Sequence, residues 1–334
     1  MRMPVKLAAG GIAIALSLVT ARPIAPSVHA AVRQTSPTDL IGVLANGDPS
    51  ALPRLGATWF ATADAGVGSV AGMNRASIIR LNPPQPVDSV MAAVASRPGA
   101  AWMVGNEPNV PTTSSSDAMS PSDYAVALHD WEARIHAADP TAIIVGPNVL
   151  NWSQTCNGCP GYTLGMDWTT EFYNDYVSMY GTRPPIDKWA VHTYELDWVN
   201  LPTLSTDWHK QQLRDFRAWL DSIPDEAGRP IWDTEVGFHW AFPGDMLVGN
   251  KLVPTGPYDT AGVQAWLTDM LNFFTTEGVQ LGIERSFFYA QWGALEGFSD
   301  SYGGLAFFDG PQADATMTPA GQQLQSFFQG SGGQ

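Results

Sequence analysis

Apolar runs along this chain change their period again and again. Short runs closed by Pro, Gly or Asn alternate with longer stretches whose apolar positions recur at helical spacing. The first kind reads as strands buried on both faces, the second as amphipathic helices. Residues 41–46, 57–63, 76–81, 101–105, 143–147, 189–194, 230–234 and 286–291 predict eight strands. Residues 87–96, 120–138, 168–180, 207–223 and 260–277 predict helices, with a closing helix over 319–328. The start of the 120–138 helix is written in its residues: Ser120 can cap it and Pro121 fills the first helical position. Leu213, Phe216 and Leu220 mark the buried stripe of one later helix; Val263, Trp266, Leu267, Met270, Leu271 and Phe274 mark that of the next. Crossovers among the first three strands are short, with room only for a brief helix over 49–56. Strands each followed by a helix or a shorter crossover predict an α/β fold, a (β/α)8 TIM barrel.

The chain has 334 residues, enough for one such barrel, and no composition shift divides it. A single catalytic domain is therefore expected over 39–329, after a flexible lead at 31–38 and before a disordered tail at 330–334. Residues 1–30 read as a signal peptide. Arg2 and Lys6 supply the positive start, 7–21 is apolar but short for a bilayer, and Val28-His29-Ala30 fits a cleavage site. An uncleaved N-terminal anchor is the other reading. Cleavage predicts a secreted monomer that has left the membrane.

A net charge of −15 argues against nucleic acid or an anionic membrane as partner. Low charge density, 15%, with 11% aromatic residues suits a protein that handles neutral sugars. The two cysteines, Cys156 and Cys159, flank Asn157-Gly158. In an exported chain they are expected to form a disulfide around that turn. So short a loop should add little to global stability. Further ligands at zinc spacing are missing, as is the context of a thioredoxin motif.

Two strings carry the chemistry. Trp102-Met103-Val104-Gly105-Asn106-Glu107-Pro108-Asn109 and Ile231-Trp232-Asp233-Thr234-Glu235-Val236-Gly237 are each an apolar run that ends in a glutamate and then breaks at Pro or Gly. A buried strand presents a carboxylate at its C-terminal tip in this way. That end of a (β/α)8 barrel is its catalytic face. Two such glutamates are what a retaining glycosidase needs, with carboxyl groups about 5–5.5 Å apart. A helix cap or a loop salt bridge is the plain alternative for either one.

The order and spacing of these strings, with Val191-His192-Thr193-Tyr194-Glu195 between them, resemble glycoside hydrolase clan A. Within the clan they look like the glycosyl-hydrolase catalytic-core group that includes family 128, and also like family 39. The resemblance implies Glu107 as the acid/base, Glu235 as the nucleophile, and Asn106 at the sugar 2-hydroxyl. It implies that Tyr194 bonds the nucleophile, that His192 reaches the substrate, and that Trp292 is a stacking platform under the sugar. Packing in the barrel core is the alternative for His192, Tyr194 and Trp292, and a turn before Pro108 for Asn106. Arg80 is expected either to hold a carboxylate ionised or to make a structural salt bridge. Asp233, two residues before Glu235, needs a buried partner such as Arg80 or a Tyr hydroxyl, unless a bulge turns it outward. Trp198, Phe238, His239 and Trp240 either line a glycan cleft or cover the barrel rim.

The function expected is a secreted retaining glycoside hydrolase, endo-acting on a β-linked glucan or a related polysaccharide, with no metal and no organic cofactor. The rivals are a catalytically silent carbohydrate-binding barrel and an exo-acting arabinofuranosidase or xylosidase.

Overall fold

The computed structural model describes residues 36–66, 68–111, 116–243, 245–248, 251–293 and 304–331. The signal-peptide reading, most of the flexible lead and the tail after Ser331 lie outside them.

Eight parallel strands close into one barrel: β1 (Ile41–Ala45), β2 (Trp59–Thr62), β3 (Asn74–Ile79), β4 (Ala101–Val104), β5 (Ile143–Leu150), β6 (Lys188–Glu195), β7 (Ile231–Phe238) and β10 (Ile283–Phe288), which returns to β1. The (β/α)8 architecture read from the sequence is therefore the fold. After a one-turn α1 (Pro37–Leu40), helices α2 (Val87–Ser96), α3 (Pro121–Ala138), α4 (Gly165–Tyr180), α5 (Thr206–Ser222), α6 (Thr260–Phe273) and α7 (Pro319–Ser331) fall where the apolar stripes place them. Ser120 caps α3 through its hydroxyl, which accepts from the Asp123 amide at 3.1 Å. An antiparallel hairpin, β8 (Asp245–Val248) with β9 (Lys251–Pro254), is inserted after β7 and was not expected. β5 runs on to Leu150, past the Pro147 where the sequence suggests an end, because a register shift between Pro147 and Val149 absorbs the proline.

Side chains alternate between two cores. One set, including Trp102, Trp189, Val191, Phe216 and Trp266, packs between strands and helices. The other fills the barrel: Leu44, Ala61, Ala76, Ile78, Ala101, Met103, Val145, Ala190, Trp232 and Phe287. Four alanines in that inner set make room for two large rings. Below them the Arg285 guanidinium lies 3.6 Å from the Trp59 ring centroid and 5.2 Å from that of Trp232.

Among the described residues no helix joins β2 to β3; Val70 and Met73 of the connecting loop pack on the outer core instead. Two arginines tie it down. Arg75 donates to the Thr62 hydroxyl and to Asp64, each at 3.1 Å. Arg97 donates to the Gly66 carbonyl at 3.4 Å and to the Ser77 hydroxyl at 3.1 Å, and lies over the Trp102 ring. Burial, with Arg75 close by, brings the Arg97 pKa down to about 10.

Gly42 on β1 shows how tightly the inner layer is filled. A Cβ there would stand 2.6 Å from the Phe287 ring and 2.9 Å from the Trp59 carbonyl oxygen. Gly42→Ala should therefore destabilise the barrel by about 1–3 kcal/mol in denaturant unfolding. An unchanged midpoint would mean that the layer has slack.

Candidate active site

β4 ends at Val104, and the chain turns through Gly105 (φ 81) and Asn106 to Glu107 (φ 48). Gly105 has no room for a side chain, since a Cβ would come 2.9 Å from the Tyr124 ring. Glu107 adopts a left-handed conformation that costs energy outside glycine, so the surroundings must enforce it. Its amide donates to the Asn148 carbonyl at 3.0 Å, and Asn148 Nδ2 donates to the Gly105 carbonyl at 3.0 Å. Asp117 clamps the same turn. Its Oδ2 accepts from the amides of Leu81 and Asn106, both at 2.9 Å, and its own amide donates to the Asn106 carbonyl at 2.7 Å. Arg80 Nε completes the clamp at 2.7 Å from Asp117 Oδ1. Arg80 thus makes a structural salt bridge and also lines the cleft.

Glu235 reaches the cleft because β7 is bulged. Val191 is in register with Asp233 but His192 is in register with Glu235, so one residue is skipped. Trp232 points into the barrel, and Asp233 points the other way, where its Oδ2 accepts from the Thr193 hydroxyl at 2.8 Å. Asp233 therefore does not share a face with Glu235, and neither Arg80 nor a tyrosine partners it. Burial pushes its pKa well up, against the opposing pull of the Thr193 hydroxyl and His192.

β6 supplies the groups between the two glutamates. His192 Nδ1 lies 3.1 Å from Glu107 Oε1 and 3.7 Å from Glu235 Oε2. The Tyr194 hydroxyl donates to Glu235 Oε2 at 2.7 Å. One oxygen of each glutamate and one His192 nitrogen all lie within 4.8 Å of one another. That is also the spacing of metal ligands; here His192 lies between the two carboxylates and the Tyr194 hydroxyl donates to one of them. His192 is fully buried, which works against its charge, yet Glu235, Glu107 and Asp233 outweigh burial and raise its pKa. Glu235 is raised too, by burial first and by Glu107, against the opposing pull of His192, Tyr194 and Arg80.

A cavity of ≈ 360 Å³ opens over these groups. Of the residues singled out in the sequence, Arg80, Asn106, Glu107, Tyr194, Glu235, Trp198 and His239 line it, and His192 sits directly behind. Phe238 and Trp240 are instead buried at 2% and 3% exposure. Trp292 is not among the lining residues. β10 stops at Phe288, earlier than expected, and Tyr289 takes that wall, while the Trp292 main chain pairs with the Asn46 amide at 2.6 and 2.9 Å. Asn46, Tyr162 and Tyr289 line the cleft without having been noticed, and Asp117 and Asn148 support it. Only Asn148 left a trace in the sequence: an asparagine just past a strand proline suits the left-handed φ of 55 it adopts.

A closed parallel barrel with two facing carboxylates at the tips of its fourth and seventh strands belongs to the class of (β/α)8 glycosidases. Residues 82–291 match the glycosyl hydrolase catalytic core family, and the chain belongs to that family. It is a glycoside hydrolase. No curated protein sequence matches the chain. Among solved structures, a family 128 subgroup I endo-β-1,3-glucanase from Amycolatopsis mediterranei, in complex with laminaritriose and laminaribiose, is similar. It is 20% identical with a TM-score of 0.53, over 86% of this chain and 99% of that one. A family 128 subgroup IV endo-β-1,3-glucanase from Lentinula edodes is 13% identical, TM-score 0.54, over 86% and 99%. An α-L-arabinofuranosidase from Thermotoga maritima is 14% identical, TM-score 0.57, over 87% and 70%. At these identities the likeness is one of fold.

Two outcomes are expected. Asp117→Ala strands a mostly buried Arg80 and several amides, so it should cost about 3 kcal/mol in unfolding. A cost under about 1 kcal/mol would mean the clamp is dispensable. The second concerns pH. A native state that holds more protons than the unfolded chain loses stability as pH rises. The contribution of the His192 imidazolium is complete below its unfolded pKa of about 6.5 and fades as pH climbs through the raised native one. Buried Glu235 acts in the same sense, above an unfolded pKa of about 4.3. The wild-type Tm should thus fall more steeply above about pH 6.5 than that of a His192→Gln, Glu235→Gln double variant. Parallel curves would contradict the shifts.

Proposed function

We propose that this protein is a secreted, retaining endo-glycosidase of β-linked glucan, with β-1,3-glucan as its substrate. The observation that carries the mechanism is the 4.8 Å limit on the distance between carboxylate oxygens of Glu107 and Glu235. Retaining enzymes keep the pair about 5–5.5 Å apart, whereas inverting ones leave about 6.5–9.5 Å for a water. Glu107 protonates the departing oxygen while Glu235 attacks the anomeric carbon and forms a glycosyl ester. Water then enters from the side the leaving group vacated, and Glu107 takes its proton. Tyr194 occupies Oε2 of Glu235, which leaves Oε1 for attack. Forming the ester also removes the charge that Glu107 faces.

The lining crosses the whole described mouth, from Asn46 past β1 to Trp198 past β6, and this supports a chain lying across the barrel. The Amycolatopsis and Lentinula enzymes are endo-β-1,3-glucanases, which supports the choice of linkage. Both carboxylates and their His192 and Tyr194 partners are in place, which speaks against a silent binding barrel. The signal-like residues 1–30 support export.

Digestion of a panel of β-1,3-, β-1,4- and mixed-linkage glucans tests the substrate: β-1,3-glucan should yield internal fragments, and release of monosaccharide alone would favour an exo enzyme. Glu235→Ala should lose about 10³-fold or more in kcat even with an activated leaving group. In Glu107→Ala the first step on such a substrate needs no acid, so added azide should restore turnover and give the β-glycosyl azide. Azide with Glu235→Ala should give the inverted anomer. The opposite pattern of anomers would exchange the two roles.

A further inference from the structure

Cys156 and Cys159 are bonded to each other, and both line the cleft. Cys156 packs with Leu150, Tyr194, Leu196 and Trp198 in a small apolar cluster at the barrel mouth. Between the cysteines, Gly158 turns with φ 82, and a Cβ on it would stand 3.1 Å from Val199 and 3.3 Å from Trp198. Asn157 spends three hydrogen bonds on the loop that follows β6. Its amide donates to the Leu196 carbonyl at 2.8 Å, its carbonyl accepts from the Trp198 amide at 2.9 Å, and its Nδ2 donates to Asp197 Oδ1 at 3.1 Å. Asp197 Oδ1 also accepts from the amides of Val199 (2.9 Å) and Asn200 (2.8 Å), so the loop folds around that carboxylate. The disulfide turn and the Trp198 loop are thus one wall, joined at one residue.

A disulfide across so short a loop removes little entropy from the unfolded chain. Its effect is local: it fixes the turn that aims Asn157 at residues 196–198. We propose that the Cys156–Cys159 bridge is a positioning element for substrate binding, holding Trp198 beside Leu196 and the bridge itself as an apolar wall for the glycan chain. Pyranose C–H faces pack on such surfaces as they do on aromatic rings. The inference rests on the site being one that cleaves glycans. The wall packs on Tyr194, but the hydrogen bonds that place Tyr194 come from elsewhere: its amide donates to Asn151 Oδ1 at 2.8 Å and its hydroxyl to Glu235 Oε2 at 2.7 Å. Tyr162, beside the turn, is held by Asn151 Nδ2 at 2.8 Å, and Glu107 and Glu235 are held from β4, β6 and β7. Loosening the wall therefore weakens binding and spares the chemical step.

Two variants test this: Cys156→Ser/Cys159→Ser, and Asn157→Ala, which keeps the bridge. Amide exchange at Trp198 needs no substrate and should speed up about tenfold or more in both. On β-1,3-glucan KM should rise about fivefold or more while kcat, and turnover of a short aryl β-glucoside, stay within about twofold. Unchanged Trp198 exchange in both variants overturns the coupling. Faster exchange with unchanged KM, or a kcat loss as large as the KM rise, overturns the binding role. If the wild type cleaves no glucan in the panel, the glucanase reading fails by itself, and the exchange result decides the coupling.

Discussion

Two mostly buried carboxylates bring one oxygen each to within 4.8 Å of the other, and something must offset their repulsion. His192 does so. Its Nδ1 faces both, its pKa is raised by both, and it is itself wholly buried. The rest of the site follows from keeping one imidazole between two acids. β6 must present His192 and Tyr194 on one face. β7 must skip a residue so that Glu235 meets His192 in register. The turn after β4 must accept a left-handed glutamate so that Glu107 faces the same nitrogen.

Asparagine side chains hold this arrangement. Asn148 ties the Glu107 turn to β7, because its Oδ1 accepts from the Thr234 hydroxyl at 2.9 Å while its Nδ2 reaches the Gly105 carbonyl. Asn151 does the same one strand on, accepting from the Tyr194 amide at 2.8 Å and from Gln212 of α5 at 3.2 Å. Both adopt positive φ at the tip of β5, with φ 55 and 50. An amide side chain is both donor and acceptor, so Asn148 can join the turn after β4 to β7, strands that are not neighbours in the barrel. These bonds fix both carboxylates in place, the preorganisation that electrostatic catalysis requires.

Much of this was legible in the residues. Strand runs that end in Glu107 and Glu235 announced the barrel and the position of both acids, because an apolar run closed by Pro or Gly is a local signal. His192 and Tyr194 share a face by simple alternation. The bulge in β7 was not fixed by local pattern, so the side on which Asp233 lies stayed open. Asp117 sits in a polar loop with nothing to mark it, and its role exists only once β3 and β4 are adjacent. Trp292 was placed by counting from an eighth strand assumed to run longer than it does. Hairpin β8–β9 interrupts a crossover that could as well have been plain loop.

The gap in the outer helical ring has a consequence for how such a barrel could diversify. Where the other crossovers are packed helices, β2 and β3 are joined by loop 63–73, tied down by arginines. Gly68 and Gly72 in that loop have positive φ, and a Cβ on either would meet nothing within 4 Å. A second cavity of ≈ 480 Å³ beside it shares Asn46 and Ala63 with the cleft. Extra residues grafted beside Gly72 would interrupt no helix and would stand near the second cavity. Such a lineage could trade one glycan for another at this seam while leaving Glu107, His192 and Glu235 untouched.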